Sequence, residues 1–134
     1  MKVVISDPKE GKSYQVEVGK DKANKLLGVK IGEALDGGIV GASGYKLIVT
    51  GGTDSDGIPM RGDVQGNLKV APLLQYGMGQ RKSGKGVRYR KSLRGNTIGT
   101  VTQQINTKVT DYGDKPLAEL FPPSAKKDTD KKKK

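Results

Sequence analysis

The residues best placed to do chemistry with a partner are Arg81, Lys82, Lys85, Arg88, Arg90, Lys91 and Arg94. They lie in the stretch GMGQRKSGKGVRYRKSLRGNTI, residues 77–98, which holds these seven cations, five glycines and no acid. The chemistry implied is the gripping of a polyanion. Four of the seven are arginines, whose planar fork holds a phosphate through two parallel hydrogen bonds. The first half, QRKSGKG, is glycine-rich and lets backbone N–H groups approach phosphate oxygens. The second half, VRYRKSLR, reads as extended, with Arg88 and Arg90 on one face and Val87, Tyr89 and Lys91 on the other. Tyr89 is suited to stacking on an unpaired base. A solvated charge run is the plain alternative, and the lack of any interrupting acid argues against it.

Neighbouring stretches carry weaker signals. In RGNTI, residues 94–98, Gly95 permits a sharp turn, and Asn96 and Thr97 can hydrogen-bond bases, sugars or phosphates. The same residues can equally satisfy their own backbone in a turn. In GGTDSDGIPMRGD, residues 51–63, Asp54 and Asp56 resemble the start of a calcium loop. The twelfth position, counted from Asp54, is Gln65 rather than the required glutamate, so turn chemistry is expected, with Ile58 and Met60 packed beneath. GGIVGASG, residues 37–44, lacks the ending of a phosphate-cradling P-loop and reads as a strand with close backbone packing. The chain has no Cys and no His, which removes disulfides, zinc sites and imidazole catalysis. No carboxylate pair stands apart from turns. We therefore expect no catalytic residues, no metal site, no cofactor and no enzyme activity.

The placement of charge sharpens this reading. Residues 1–63 hold nine basic and nine acidic residues, residues 64–110 hold nine basic and no acidic residues, and residues 111–134 hold seven and five. A solubilising surface intersperses the two signs. Excluding acids over 47 consecutive residues points to nucleic acid, RNA and DNA alike. Only 33% of the 134 residues are hydrophobic, 4% are aromatic, and 20 are Gly, as suits a small globular body with irregular extensions. The polar N-terminus is not a signal peptide, no apolar run suits a membrane, and the missing cysteines fit a cytoplasmic setting.

The elements that must position the basic stretch read as mainly β. KVVIS at 2–6 and SYQVEV at 13–18 form a hairpin, the second with Tyr14, Val16 and Val18 on one face. KDKANKLLG at 20–28 suits a short helix stopped by Gly28. VKIGEAL at 29–35, GIVGA at 38–42 and YKLIVTGG at 45–52 are strand candidates. LKVAPLL at 68–74 suits an edge strand because of Pro72. TVTQQINTKVT at 100–110 alternates through Val101, Gln103, Ile105, Thr107 and Val109. DKPLAELF at 114–121 suits a second short helix with Asp114 as N-cap. Strands at this spacing, broken by glycine turns, predict a small, closed or half-closed β-barrel-like body. PPSAKKDTDKKKK has nothing to bury and predicts a disordered, lysine-rich tail, so the expected division is a β-rich domain over 1–121 and a tail over 122–134.

VISDPKEGKSYQVE, GYKLIVTGGTDSDGIPMR, VRYRKSLRGNTI and QINTKV together resemble the archaeal and eukaryotic small-subunit ribosomal protein family numbered six in the eukaryotic scheme. The likeness runs in order from about Lys2 to Leu120. It implies a structural constituent of the small ribosomal subunit, a monomer within the cytoplasmic ribosome, bound to ribosomal RNA and to neighbouring ribosomal proteins, with no membrane partner. It also implies RNA rather than DNA. The matched motif carries RNA-facing roles to Arg90, Lys91, Arg94, Asn96 and Thr97, and the preceding loop adds Arg61; Arg81, Lys82, Lys85 and Arg88 follow on charge. Eukaryotic members continue into a long basic helix with phosphorylated serines. This chain ends soon after Phe121, so the resemblance implies the short archaeal form, without that phosphorylation. A chromatin protein would need a recognition helix or a β-ribbon pair, and neither stands out. An RNA-modifying enzyme would need a cofactor loop or an acid/base pair.

Overall fold

A computed structural model describes residues 1–81 and 84–122. The strands are β1 (Lys2–Asp7), β2 (Lys12–Glu17), β3 (Ala34–Asp36), β4 (Lys46–Asp54), β5 (Lys69–Val70), β6 (Leu73–Leu74), β7 (Tyr89–Arg90), β8 (Leu93–Arg94) and β9 (Thr102–Asp111). Two short helices accompany them, α1 (Lys20–Asn24) and α2 (Leu117–Leu120). The mainly β class and the two short helices agree with the pattern of the sequence. The tail from residue 123 on, like Lys82, lies outside the described residues.

Five strands form one sheet in the order β2-β1-β9-β4-β3. It is an open sheet with β2 and β3 as its edges, so the body stops short of a closed barrel. The β1–β2 hairpin turns at residues 8–11, where Gly11 adopts φ +67°. Asp7 Oδ1 caps that turn by accepting from the Lys9 amide at 2.8 Å. Beside β1 lies β9, in parallel, with Val3 opposite Ile105. The first and last long strands are thus neighbours at the centre of the sheet.

One face of the sheet is buried. Val3, Ile5, Leu47, Val49, Ile105, Thr107 and Val109 all lie on it with at most 3% exposure. Leu26, Val40, Met60, Ile98 and Leu117 cover them. The β4–β9 ladder shifts register three times, first where Thr110 is skipped between Lys46–Asp111 and Leu47–Val109, and two further shifts change the buried phase. Thr50 is skipped between the pairs Val49–Thr107 and Gly51–Asn106, and Gln103 is skipped between Thr53–Gln104 and Asp54–Thr102. One extra residue moves everything beyond it to the opposite face. The buried phase of β4 therefore passes from Leu47 and Val49 to Gly52 and Asp54, and Thr102 rather than Gln103 faces inward. Gly52 has to lack a side chain, because a Cβ there would lie 2.5 Å from the Gln104 carbonyl oxygen and 3.0 Å from Met60 Sδ.

Three elements differ from expectation. Residues 37–40 form a 3-10 turn rather than a strand, because Asp36 accepts from the Gly38 amide and caps a helical start. The close packing read there holds, since a Cβ on Gly37 would meet the Tyr45 carbonyl oxygen at 2.8 Å. The candidate strand over 29–35 shrinks to β3 plus a single bridge from Lys30 to Thr97. Pro116, not Asp114, precedes α2 as its N-cap.

Candidate nucleic-acid interface

The basic stretch is the returning half of a hairpin arm. Pro72 removes a donor and splits the outgoing half into β5 and β6. β5 pairs with β8 (Lys69–Arg94, Val70–Leu93), and β6 pairs with β7 (Leu73–Arg90, Leu74–Tyr89), both antiparallel. Between the halves, the chain turns at residues 77–80 through Gly77 (φ +117°) and Gly79 (φ +86°). This turn folds back on the body. Gly79 sits against Leu93, which is fully buried, and within 3.6 Å of Pro59 when given a Cβ. The segment beyond it projects: Arg81, Lys85, Arg88 and Lys91 are exposed, as is Tyr89. Arg90 is exposed too, its Nη1 donating to the Ala71 carbonyl at 3.4 Å. None of these five cations enters an ion pair among the described residues.

The remaining candidates hold the arm. Arg94 Nε donates to Asp54 Oδ2 at 2.6 Å, and its Nη1 donates to the Asn67 carbonyl at 3.1 Å. The Ser55 hydroxyl donates to Asp54 Oδ1 at 2.8 Å. The Ser55 hydroxyl and the Arg94 guanidinium together lower the Asp54 pKa to about 2, against the effect of burial. Asp54, expected as a turn residue, is thus a buried counter-ion, 4% exposed. The parity shift at Thr50 hid it from the sequence pattern. Arg61 Nε donates to Asp63 at 2.6 Å, and its Nη1 donates to the Met78 carbonyl at 3.2 Å.

Asn96 is buried, its amide nitrogen bonded to the Val64 carbonyl at 2.8 Å and its side chain accepting from the Thr97 hydroxyl at 3.1 Å. The Thr97 amide donates to the Gly66 carbonyl at 3.0 Å. Residues 94–98 thus run as a strand-like root, gripped on one side by residues 59–66 and on the other by residues 28–31. Of the two readings open for RGNTI, the geometry gives Asn96 and Thr97 backbone partners. Residue chemistry also overlooked Tyr76, 67% exposed on the arm, and the apolar surface around it. Leu68, Leu73, Met78 and Val87 are exposed there as well. The acid-free span was the signal that could have found them.

A recess at the β2 edge is lined by Lys12, Ser13, Tyr14, Gln15, Ala118, Phe121 and Pro122, and one beside α1 includes Met1, Val18, Leu27 and Thr102. Neither contains an acid/base pair. Among the described residues no group of acidic side chains converges as a metal site, and no helix is long and apolar enough to cross a membrane.

The geometry is that of a β body carrying a cationic, partly apolar arm, and comparison with known proteins gives it a family. A protein of Methanocella arvoryzae named small ribosomal subunit protein eS6 is 48% identical over 127 residues, covering 95% of this chain and 89% of the relative. Proteins of the same name from Methanocaldococcus jannaschii and Methanococcus maripaludis strain S2 are 50% and 52% identical, covering 90% and 87% of this chain and 89% and 91% of the relatives. The family model described as ribosomal protein S6e matches residues 1–122, and the chain belongs to that family.

Proposed function

We propose that the chain is a structural constituent of the small ribosomal subunit, held in the cytoplasmic ribosome by ribosomal RNA and neighbouring ribosomal proteins. It acts as a single copy and performs no catalysis. The observation that carries the reading is the arm. It presents Arg81, Lys85, Arg88, Arg90 and Lys91 to solvent without a carboxylate partner among the described residues, while Arg61 and Arg94 are paired with acids. Lys82 belongs to the same run by sequence. These six cations bind phosphates, and Tyr89, with Tyr76, stacks on unpaired bases. Arg61, Arg94, Asn96 and Thr97 serve the RNA site from behind, by holding the arm.

Binding of subunit RNA across a salt series tests this. Five to seven phosphate contacts give a log–log slope of roughly −3.5 to −5 on irregular RNA. Replacing Arg81, Arg88 and Arg90 together with Glu is expected to weaken binding strongly and flatten the slope. Wild-type affinity in that variant would reduce the arm to a solvated surface. The paired halves of the arm do form a β-ribbon, the type of element that enters a DNA major groove. Competition between subunit RNA and duplex DNA separates the two: RNA is expected to win.

A further inference from the structure

We propose that the Asp54–Arg94 pair is a positioning device, which sets the pose of the arm so that its other cations meet phosphates together. The proposal rests on the reading of the arm as an RNA-binding element. Arg94 stands where the arm's returning strand enters the body. Its amide donates to the Pro59 carbonyl at 2.9 Å, and its carbonyl accepts from the Arg61 amide at 3.0 Å. Its guanidinium reaches both ways, through Nε to Asp54 at the end of β4 and through Nη1 to the Asn67 carbonyl beside the outgoing strand. One planar fork thus ties the central sheet to the start of the arm. With a side chain only 20% exposed and two edges committed, Arg94 has little left for a phosphate.

Asp54 is equally committed. Both carboxylate oxygens have partners, Ser55 on one and Arg94 on the other. Its inward direction follows from the bulge at Thr50, a feature of the central sheet rather than of the arm. A second strut stands further out, where Arg61 donates to the Met78 carbonyl and would lie 3.3 Å from a Cβ on Gly77. The arm itself is held by two ladders of two residues each. Such a ribbon cannot define its own direction. Released from Arg94, it samples poses of which few place the cations together, and apparent affinity falls by the competent fraction.

The test compares Asp54→Asn, Arg94→Lys and Arg88→Gln in RNA binding across a salt series, on the full chain. Asp54→Asn removes a negative charge beside a cationic surface, which by charge alone would tighten binding. The positioning role predicts roughly tenfold weaker binding instead, at an unchanged salt slope, because the bound state keeps its phosphate contacts. Arg94→Lys keeps the charge and loses the two-edged fork, so it too is expected to bind about tenfold more weakly at an unchanged slope. Arg88→Gln flattens the slope by about 0.7.

Amide spectra of the free variants are expected to keep the signals of β1, β4 and β9 and to change over residues 59–67 and 69–94. Tighter or unaltered binding by Asp54→Asn, or wild-type affinity in Arg94→Lys, would overturn the proposal. Should Asp54→Asn not fold, Arg94→Lys decides alone. If Arg88→Gln and Arg90→Gln also bind like wild type at every salt concentration, it is the RNA reading of the arm that has failed.

Discussion

Asp54 titrates where its partners hold it. The Ser55 hydroxyl, first, and the Arg94 guanidinium bring its pKa down to about 2 from an ordinary carboxylate value. A depressed folded-state pKa contributes stability that is full above the unfolded value of about 3.9 and is lost as pH falls through about 2. The melting temperature is therefore expected to drop between pH 4 and pH 2, with no step from this pair between pH 5 and 8. Burial raises the pKa of Asp7, but the Tyr112 hydroxyl and two amides outweigh it, and Asp63 sits beside Arg61; both are lowered, so both lose stability as pH falls below the ordinary carboxylate range. Melts of Asp54→Asn isolate the part owed to Asp54: the variant is expected to show a shallower acid slope, and an identical slope would contradict the assignment. Gly95 is the second informative residue. A Cβ there runs into the Gly66 carbonyl oxygen and lies 3.1 Å from that of Gln65. Gly66 cannot withdraw freely, because its carbonyl accepts from Thr97. Gly95→Ala is expected to lower stability by about 1–3 kcal/mol in denaturant titration, the usual range for overpacking.

The arm is a separable element. Beyond the turn that packs on Leu93 and Pro59, Arg81 and residues 84–86 are exposed, so the body does not depend on them for burial. Replacing RKSGKG at 81–86 with a neutral Gly/Ser loop of equal length is expected to leave the melting transition within about 0.5 kcal/mol of wild type. RNA binding should weaken, with the salt slope flattened by about 2 for the three cations removed. Circular dichroism and a salt series check both halves of that expectation. Lost cooperativity would mean that the segment is structural. The interruption expected at Pro72 separates β5 from β6, whereas GIVGA reads as a strand until the Asp36 cap turns it.

Across the whole molecule, the core lies on the sheet centred on β9, between β1 and β4, and under what covers it. Leu117 of α2 is 2% exposed in that core, and Tyr45 anchors the approach to α2 by donating to the Lys115 carbonyl at 2.6 Å. Leu117→Ala is expected to cost about 2–5 kcal/mol, as buried leucines do. Residues 124–134 have no apolar pattern, and deleting them is expected to shift unfolding by less than about 0.5 kcal/mol. Chemical denaturation of the two variants side by side checks the boundary. A large effect of the deletion, or a small one of Leu117→Ala, would move it.

Alternation and turn residues are local properties, and they sufficed for the β class and for β1, β2, β4 and β9. The turn at Gly11 follows from the same local chemistry. Sheet closure and the pairing of β1 with β9 were not legible, because strand partners about 100 residues apart are chosen by packing. Nor was the division of the cations into Arg61 and Arg94, which are paired with carboxylates, and Arg81, Lys85, Arg88, Arg90 and Lys91, which are exposed and enter no ion pair among the described residues. For Arg94 the pairing depends on Asp54 lying inward at the arm's root. A bulge at Thr50 decides it, and no periodicity records an extra residue whose place is set by the strand opposite.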